Sequence, residues 1–410
     1  MKSVCVFGRL LAEWRAESRA ALGLPTDRFI VMTGHQAGIW HAGIAEKFIV
    51  GARLAAERDG VLVHVVIDHD LNDASLVAFP ALIAGKLVRL ALERSPRAVI
   101  GAPNALKKPI RTMRPERAHE LPAEIEAPLA LIEGAIAAER GRENLAMQMA
   151  YAANALLARQ ARVDHTVAAT TIAELSLSQA IRTNFASMRD AYNTAVAGER
   201  IAPLAARELP FWTLERNRAS REPMFEGDTA ERIAPRALTL TAIARLVLCD
   251  TFIHGTGGAR YDRAMECWVG EALGEDVRAA LAPMVVATAT KLAPLARFVP
   301  PFDSTATPRA LRALEQDPFG DDGRTKRALR EAITGSRAEK RAAFVAMRRA
   351  ILDGRATRAA ELDALRARIN ANSEALAAHT LASDRTWPFP FSWLQLVNAE
   401  SPCDGSLRVG

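Results

Sequence analysis

Cysteine is scarce in this chain: four residues, Cys5, Cys249, Cys267 and Cys403, stand far apart in 410 positions with no C-x-x-C pair. That spacing argues against a disulfide framework or a thiolate zinc site and fits a reducing compartment. Cys249 and Cys267 have apolar neighbours and read as core thiols. No hydrophobic run approaches bilayer-spanning length, and the brief apolar stretch Val4–Phe7 gives way to Arg9 and Glu13 without a secretory core or cleavage site. A cytoplasmic protein with no membrane partner is therefore expected. Aromatic residues make up only 6% of the chain. No basic strand interleaved with aromatics and no Arg-rich tail is present, so nucleic acid is not an expected partner.

What is present is an ordinary globular balance, 50% hydrophobic and 24% charged, in a chain long enough for a large core or for two to three domains. The net charge of +6 owes much to Arg324–Arg385, where bases outnumber acids two to one. Such a segment reads as a solvated helical surface, or as a face for an anionic substrate or partner. No internal repeat is visible.

Residues 1–100 pattern as α/β, with strands at 29–33, 61–67 and 87–92 and a helix at 44–58. A helical insertion is expected around 105–160, with Pro128 in a first turn and Leu129, Ile132 and Ile136 on one face. The β-branched run Thr166–Ile172 predicts a return to the sheet, and Leu177–Val196 the next helix. Residues 208–223 read as a loop or edge strand beside a pocket. Pro235–Thr239 opens a helix to about Val247, followed by a strand at Thr251–His254, a Gly-rich turn at 255–258 and a helix from about Arg260. Residues 323–380 predict an antiparallel helical hairpin or short coiled coil, interrupted at 334–336 and 353–355. Pro388-Phe389-Pro390-Phe391 then ends the helix and docks the tail on the body. Three regions follow: an α/β core over 1–322, a helical arm over 323–385 and a tail over 386–410.

The chemistry concentrates in three clusters. Residues 32–47 place Gly34, Gly38 and Gly43 with His35 and His41 between a strand and a helix start, a natural anion cradle of backbone N–H groups and helix dipole. His41-x-Gly43 at a helix start resembles in outline the ATP signature of nucleotidylyltransferases and class I aminoacyl-tRNA synthetases. Imidazoles there donate to phosphates. Lys47, one turn later, reads as a further phosphate contact or as a surface lysine. The second cluster, Asp68-His69-Asp70 with Asn72 and Asp73, closes the next strand. It suits a carboxylate orienting a histidine, two carboxylates holding an amine or a metal, or a polar loop with no chemistry. The third, His254-Gly255-Thr256-Gly257-Gly258-Ala259-Arg260-Tyr261-Asp262, repeats the strand, Gly-rich turn and helix. It reads as a second phosphate site or as a plain turn, with Arg260 to pair an anion and Tyr261 to stack on a ring. Arg236 and Trp212 are lesser candidates.

In this order the clusters resemble the bacillithiol-biosynthesis cysteine-adding enzyme (BshC) family. Thr33-Gly34-His35-Gln36-Ala37-Gly38-Ile39 and Ala42-Gly43-Ile44 occupy the places of that family's Thr-Gly-Gln-Gln-x-Gly-Leu and Gly-Pro-Leu. Ile67-Asp68-His69-Asp70 is similar to its Glu-Asp-His-Asp. Pro235-Arg236 and Gly255–Gly258 with Tyr261 are similar to its Arg-Pro region and late glycine motif. His35 stands where the family has glutamine, Gly43 where it has proline and Gly258 where it has glutamate. The resemblance implies a Rossmann-like, nucleotidyltransferase-type parallel-sheet core with a C-terminal coiled-coil arm, and a homodimer formed through that arm. It further implies a ligase that adds cysteine to a glucosaminyl-malate amine in low-molecular-weight thiol biosynthesis. The small-molecule partners would then be an amino acid, an amino-sugar conjugate and a nucleotide.

On that basis His35, Gln36, Asp68, His69, Asp70, His254, Arg260 and Tyr261 are assigned to catalysis. Thr33, Gly34, Gly38, His41, Gly43, Lys47, Gly255, Gly257 and Gly258 are assigned to the nucleotide, ATP or ADP with Mg2+, and no tightly bound metal is expected. The cleft is expected between residues 34–43 and 254–261, with His35, His41 and Arg260 stabilising phosphate charge and Asp70 with His69 serving the amine. Two other functions remain open: a nucleotidylyltransferase acting on a small acid, distinguished by a stable nucleotidyl product, and a non-catalytic nucleotide-binding scaffold, distinguished by binding without turnover.

Overall fold

Two short runs rich in β-branched and aliphatic residues set the centre of the molecule. In a computed structural model, which describes residues 4–92, 101–110, 121–215 and 220–393, they form strands buried on both faces. From Val61 to Val66 no residue is more than 3% exposed, the pattern of a parallel sheet covered on both sides.

In chain order, β1 (Cys5–Val6) and β2 (Arg9–Leu10) pair ahead of α1 (Leu11–Ala21). Next come β3 (Ile30–Gln36), α2 (Ala42–Glu57) and β4 (Val61–Ile67), then the two-stranded sheet of β5 (Val77–Ile83) and β6 (Lys86–Leu92). Helices α3 (Ala123–Ala138) and α4 (Leu145–Leu157) lead to β7 (His165–Ala168), α5 (Ala169–Ile172), α6 (Ser176–Asn184) and α7 (Arg189–Val196). Strands β8 (Glu208–Glu215), β9 (Ser220–Phe225) and β10 (Arg232–Pro235) make an antiparallel sheet in the order β10-β8-β9. Helix α8 (Ala237–Ile243) runs into a π-turn at Ala244–Leu248, followed by β11 (Thr251–His254), α9 (Thr256–Leu273), α10 (Glu275–Ala279) and β12 (Met284–Val286). The main sheet has five strands, all parallel, in the order β12-β11-β3-β4-β7. One face packs on Phe185, Tyr192, Phe211 and Trp268. The other packs on α2 and α4 through Trp40, Phe48 and Leu157.

The chain divides into two compact units, one of residues 1–80, 89–293 and 385–410, the other of 81–88 and 294–384. The second contains α11 (Pro308–Gln316), α12 (Arg324–Glu331), α13 (Arg337–Thr357) and α14 (Ala359–Ala382). Ser336 and Glu339 close a capping box on α13, satisfying two otherwise orphaned N–H groups. Asn372 fastens α14 by donating to the carbonyls of Asp303 and Ala306 and accepting from Asp303 N. In the first unit, Trp387, Phe389 and Phe391 are buried around α15 (Phe389–Trp393), and Phe389 N donates to Trp40 O. No helix among the described residues is long and apolar enough to cross a membrane.

Several local expectations are corrected. The run 166–172 is a strand only to Ala168, because the Asp68 carboxylate accepts from Thr170 N and Oγ1 and turns the chain into α5. Pro128 lies inside α3, whose N-cap is Pro122, while Leu129, Ile132 and Ile136 are fully buried as expected. Residues 177–196 form two helices joined by a 3-10 turn at Phe185–Ser187. Of residues 208–223, 208–215 are the central strand of the antiparallel sheet rather than a loop or edge, whereas 220–223 belong to its edge strand β9, as expected. The break expected at 353–355 is helical, and the chain parts instead at Arg358. Cys249 is buried, where desolvation raises its thiol to about 12, but Cys267 is exposed. Cys403 and the tail beyond 393 lie outside the described residues.

Candidate active site

From β3 the chain proceeds to β4 and β7 on one side of the sheet, while β11 and β12 extend it on the other. The C-terminal edge between β3 and β11 is thus a switch point, where open parallel sheets collect ligands. A cavity of about 520 Å3 opens over this edge. Gly34 and Gln36 of β3, Val65 and Ile67 of β4 and Phe252 of β11 form its base. His69, Asp70 and His254 supply polar groups, and Tyr192, Trp212 and Tyr261 the aromatic surface.

One wall is cationic. The Trp212 ring carries the guanidinium of Arg236 at 3.9 Å from its centroid and that of Arg221 at 4.8 Å, a cation–π arrangement that fixes both planes. Arg221 donates to His69 O at 3.2 Å and to Asp70 Oδ1 at 3.3 Å. Asp70 also accepts from Gln36 Nε2 and Leu71 N. Arg236 pairs with Glu208, but its buried Nε has no hydrogen-bond partner among the described residues. Arg200 joins these two in the lining. Burial raises the Tyr192 phenol to about 12, so its hydroxyl keeps its proton.

Two histidines complete the polar lining. His254 Nε2 is buried and stands 3.1 Å from Asp262 Oδ1 without hydrogen-bond angles. Asp262, 2% exposed, is also bound by Arg245 Nη1 at 2.8 Å, and Arg245 Nη2 reaches Glu266 at 2.7 Å. Arg245 lies in the π-turn after α8, closed by Cys249 N donating to Ala244 O. A Cβ at Gly258 would overlap the His254 ring, so only glycine lets α9 start against that imidazole. His69 is 4% exposed, its Nδ1 buried without a hydrogen-bond partner and 3.8 Å from Asp68 Oδ1.

Of the residues assigned from sequence, Gly34, Gln36, His69, Asp70, His254, Gly258 and Tyr261 line one cavity. Asp68 does not; it is fully buried and holds Thr170. Thr33 Oγ1 donates to Ile253 O and stitches β3 to β11. His41 caps α2 by accepting from Gly43 N at Nδ1, and a Cβ at Gly43 would come within 2.7 Å of Ala289 O. Gly38 lies in the loop before this cap. His35 sits edge-on to Trp40, where desolvation, with Lys47 adding repulsion, lowers its imidazole to about 3. It is therefore neutral and no cationic phosphate ligand. Arg260 is exposed and pairs with Glu199 at 2.7 Å. Helix α9 begins at Thr256, so Gly257 and Gly258 belong to its first turn, earlier than the sequence suggested, with Gly255 as N-cap.

Lys47 is 4% exposed and donates to Gly34 O at 2.6 Å, its stem 3.8 Å from the Cβ position of Gly255. Desolvation lowers its ammonium to about 7. The surface-lysine alternative is thereby overturned.

Sequence reasoning missed Tyr192, Arg200, Arg221 and Arg245. Arg221 lies in β9 and the others in helical or turn segments, none within a motif, and only the fold brings them to the strand ends. No protein-family model matches the sequence, and no curated protein matches it.

Proposed function

We propose that this chain is a carbon–nitrogen ligase built on a Rossmann-like, nucleotidyltransferase-type core, joining an amino-acid carboxyl to the amine of a small amino-sugar conjugate. Cysteine and a glucosaminyl-malate amine are the substrates that the BshC resemblance implies. The observation carrying this reading is the meeting, in one cavity, of the Arg221–Trp212–Arg236 wall with the imidazoles of His254 and His69. The wall suits a carboxylate, because guanidinium groups bind it with charge-assisted hydrogen bonds. The histidines suit an amine that must lose a proton.

A nucleoside triphosphate supplies activation of the carboxyl, and two features fit its phosphates. The first turn of α9 has no side-chain cap, so the amides of Thr256 and Gly257 and the helix dipole are available. The stem of the buried Lys47 passes beside Gly255. As the amine nitrogen bonds the acyl carbon, its proton passes to His254 and the activated oxygen departs with its phosphoryl group. Asp70, held by Arg221 and Gln36, orients the amine. Dimerisation through the helical arm is part of the proposal, supported by exposed Phe344, Val345 and Leu352 on α13, and so is a cytoplasmic location.

The test is incubation of the purified protein with ATP, cysteine and glucosaminyl-malate, read by mass spectrometry. The expected product has the summed mass less one water, with ADP or AMP formed in equal amount. A stable nucleotidyl product would favour nucleotidylyl transfer, and nucleotide binding without turnover would favour a scaffold. Sedimentation velocity of the full chain and of a Phe344→Ser/Leu352→Ser variant tests the dimer, which the variant should dissociate.

A further inference from the structure

A buried carboxylate sits behind one of the cavity's two histidines, and a buried arginine sits behind that carboxylate. Asp262 lies one helical turn beyond Gly258 on α9, is 2% exposed and faces His254 Nε2 with one oxygen and Arg245 Nη1 with the other. Glu266, a further turn along, takes the second arm of the same guanidinium. Arg245 Nε donates to Ala282 O at 2.7 Å, so this side chain is committed on three sides. It reaches Asp262 from the π-turn that ends α8, an irregularity that concentrates at functional sites. Of the two His254 nitrogens, Nε2 is the buried one, and the ring itself lines the cavity.

We infer that Asp262 is a positioning residue that acts through His254. At 3.1 Å its charge favours the imidazole proton on Nε2, though the pair lacks hydrogen-bond angles, and leaves Nδ1, beside Gly258, as the proton acceptor. Arg245 fixes the direction of the carboxylate, and Glu266 balances the guanidinium. This rests on the ligase reading only for the identity of the proton donor. When an amine nitrogen attacks the activated carbonyl, its N–H proton moves to Nδ1, and the imidazolium so formed keeps its Nε2 proton against Asp262. A carboxylate next to an imidazolium stabilises the charge that develops during transfer. Gly258 is the companion requirement, since any side chain there would displace the ring.

The experiment uses the full chain labelled with 15N-histidine, His254 being assigned by loss of its signal in His254→Gln. At neutral pH the wild-type ring is expected to show a protonated Nε2 and an unprotonated Nδ1. In Asp262→Asn the preference should weaken or reverse, kcat for ligation should fall by about 10²- to 10⁴-fold, and KM should change little. A wild-type ring protonated on Nδ1 overturns the inference without recourse to any variant, as does an unchanged tautomer in a folded Asp262→Asn protein. The expected tautomer shift in a protein that makes no amide leaves the positioning role standing and removes the ligase reading instead.

Discussion

Lys47 should make this protein less stable than it could be, in a way that depends on pH. Its amine is buried at 4% exposure with Gly34 O as its single partner among the described residues, and burial lowers it from 10.5 to about 7. Because the folded value lies below the unfolded one, the unfolded chain binds the extra proton between these limits. Wild-type stability therefore rises with pH from about 7 to 10.5 and is lowest, through this residue, at and below 7. At 1.36 kcal/mol per pKa unit the penalty is about 4 kcal/mol at pH 7 and about 2 kcal/mol at pH 9. Lys47→Met keeps the stem and removes the charge along with one hydrogen bond, a loss of about 1 kcal/mol. The variant should thus be more stable than wild type by about 3 kcal/mol at pH 7 and about 1 kcal/mol at pH 9. Guanidinium chloride unfolding of both proteins across pH 6–10 gives the difference directly, with other titrating groups cancelling. A difference that does not shrink as pH rises, or a methionine variant that is the weaker protein at pH 7, would refute a burial penalty on Lys47. The same substitution should weaken ATP binding in calorimetry, since a residue kept against stability belongs to function more often than to packing.

Three further outcomes follow from the geometry. Gly258→Ala should leave the melting temperature within a few degrees, because alanine suits a helix by about 1 kcal/mol; turnover should nevertheless fall at least about tenfold as His254 is displaced, and undiminished turnover would refute the placement of that ring. Asp68→Asn should lower unfolding free energy by about 3 kcal/mol through the two Thr170 hydrogen bonds, with KM for the substrates unchanged; a selective effect on KM would return Asp68 to the site. Ser336→Ala should cost about 1 kcal/mol of local stability in α13, seen as faster amide exchange over its first turn, whereas uniform exchange along the helix would contradict the cap.

Much of the site was legible because its motifs lie at strand ends. Val61–Ile67 is apolar but for His64, so its polar successors Asp68-His69-Asp70 mark the strand end, the edge at which open parallel sheets collect ligands. Their roles were not legible. Adjacent residues leave a strand end in different directions, so Asp68 turns inward to Thr170 while His69 and Asp70 face the cavity. His35 and Gln36 divide likewise, one to Trp40 and one to the cavity. A period of two along a strand separates neighbours, and a motif string does not record which face is which.

The sequence by itself determined the parallel-strand core, the two glycine-bearing strand-to-helix junctions and the presence of a helical segment after residue 323. These follow from hydrophobic period and backbone permissiveness, which are local. Only the tertiary structure decided that Arg221 and Arg236 share the Trp212 ring, that Asp262 joins His254 to Arg245, and that Lys47 is buried against Gly34 O. Those pairings span segments far apart in the chain. Their energies arise from desolvation and from charges brought within a few ångströms, and neither exists until the chain has closed around them.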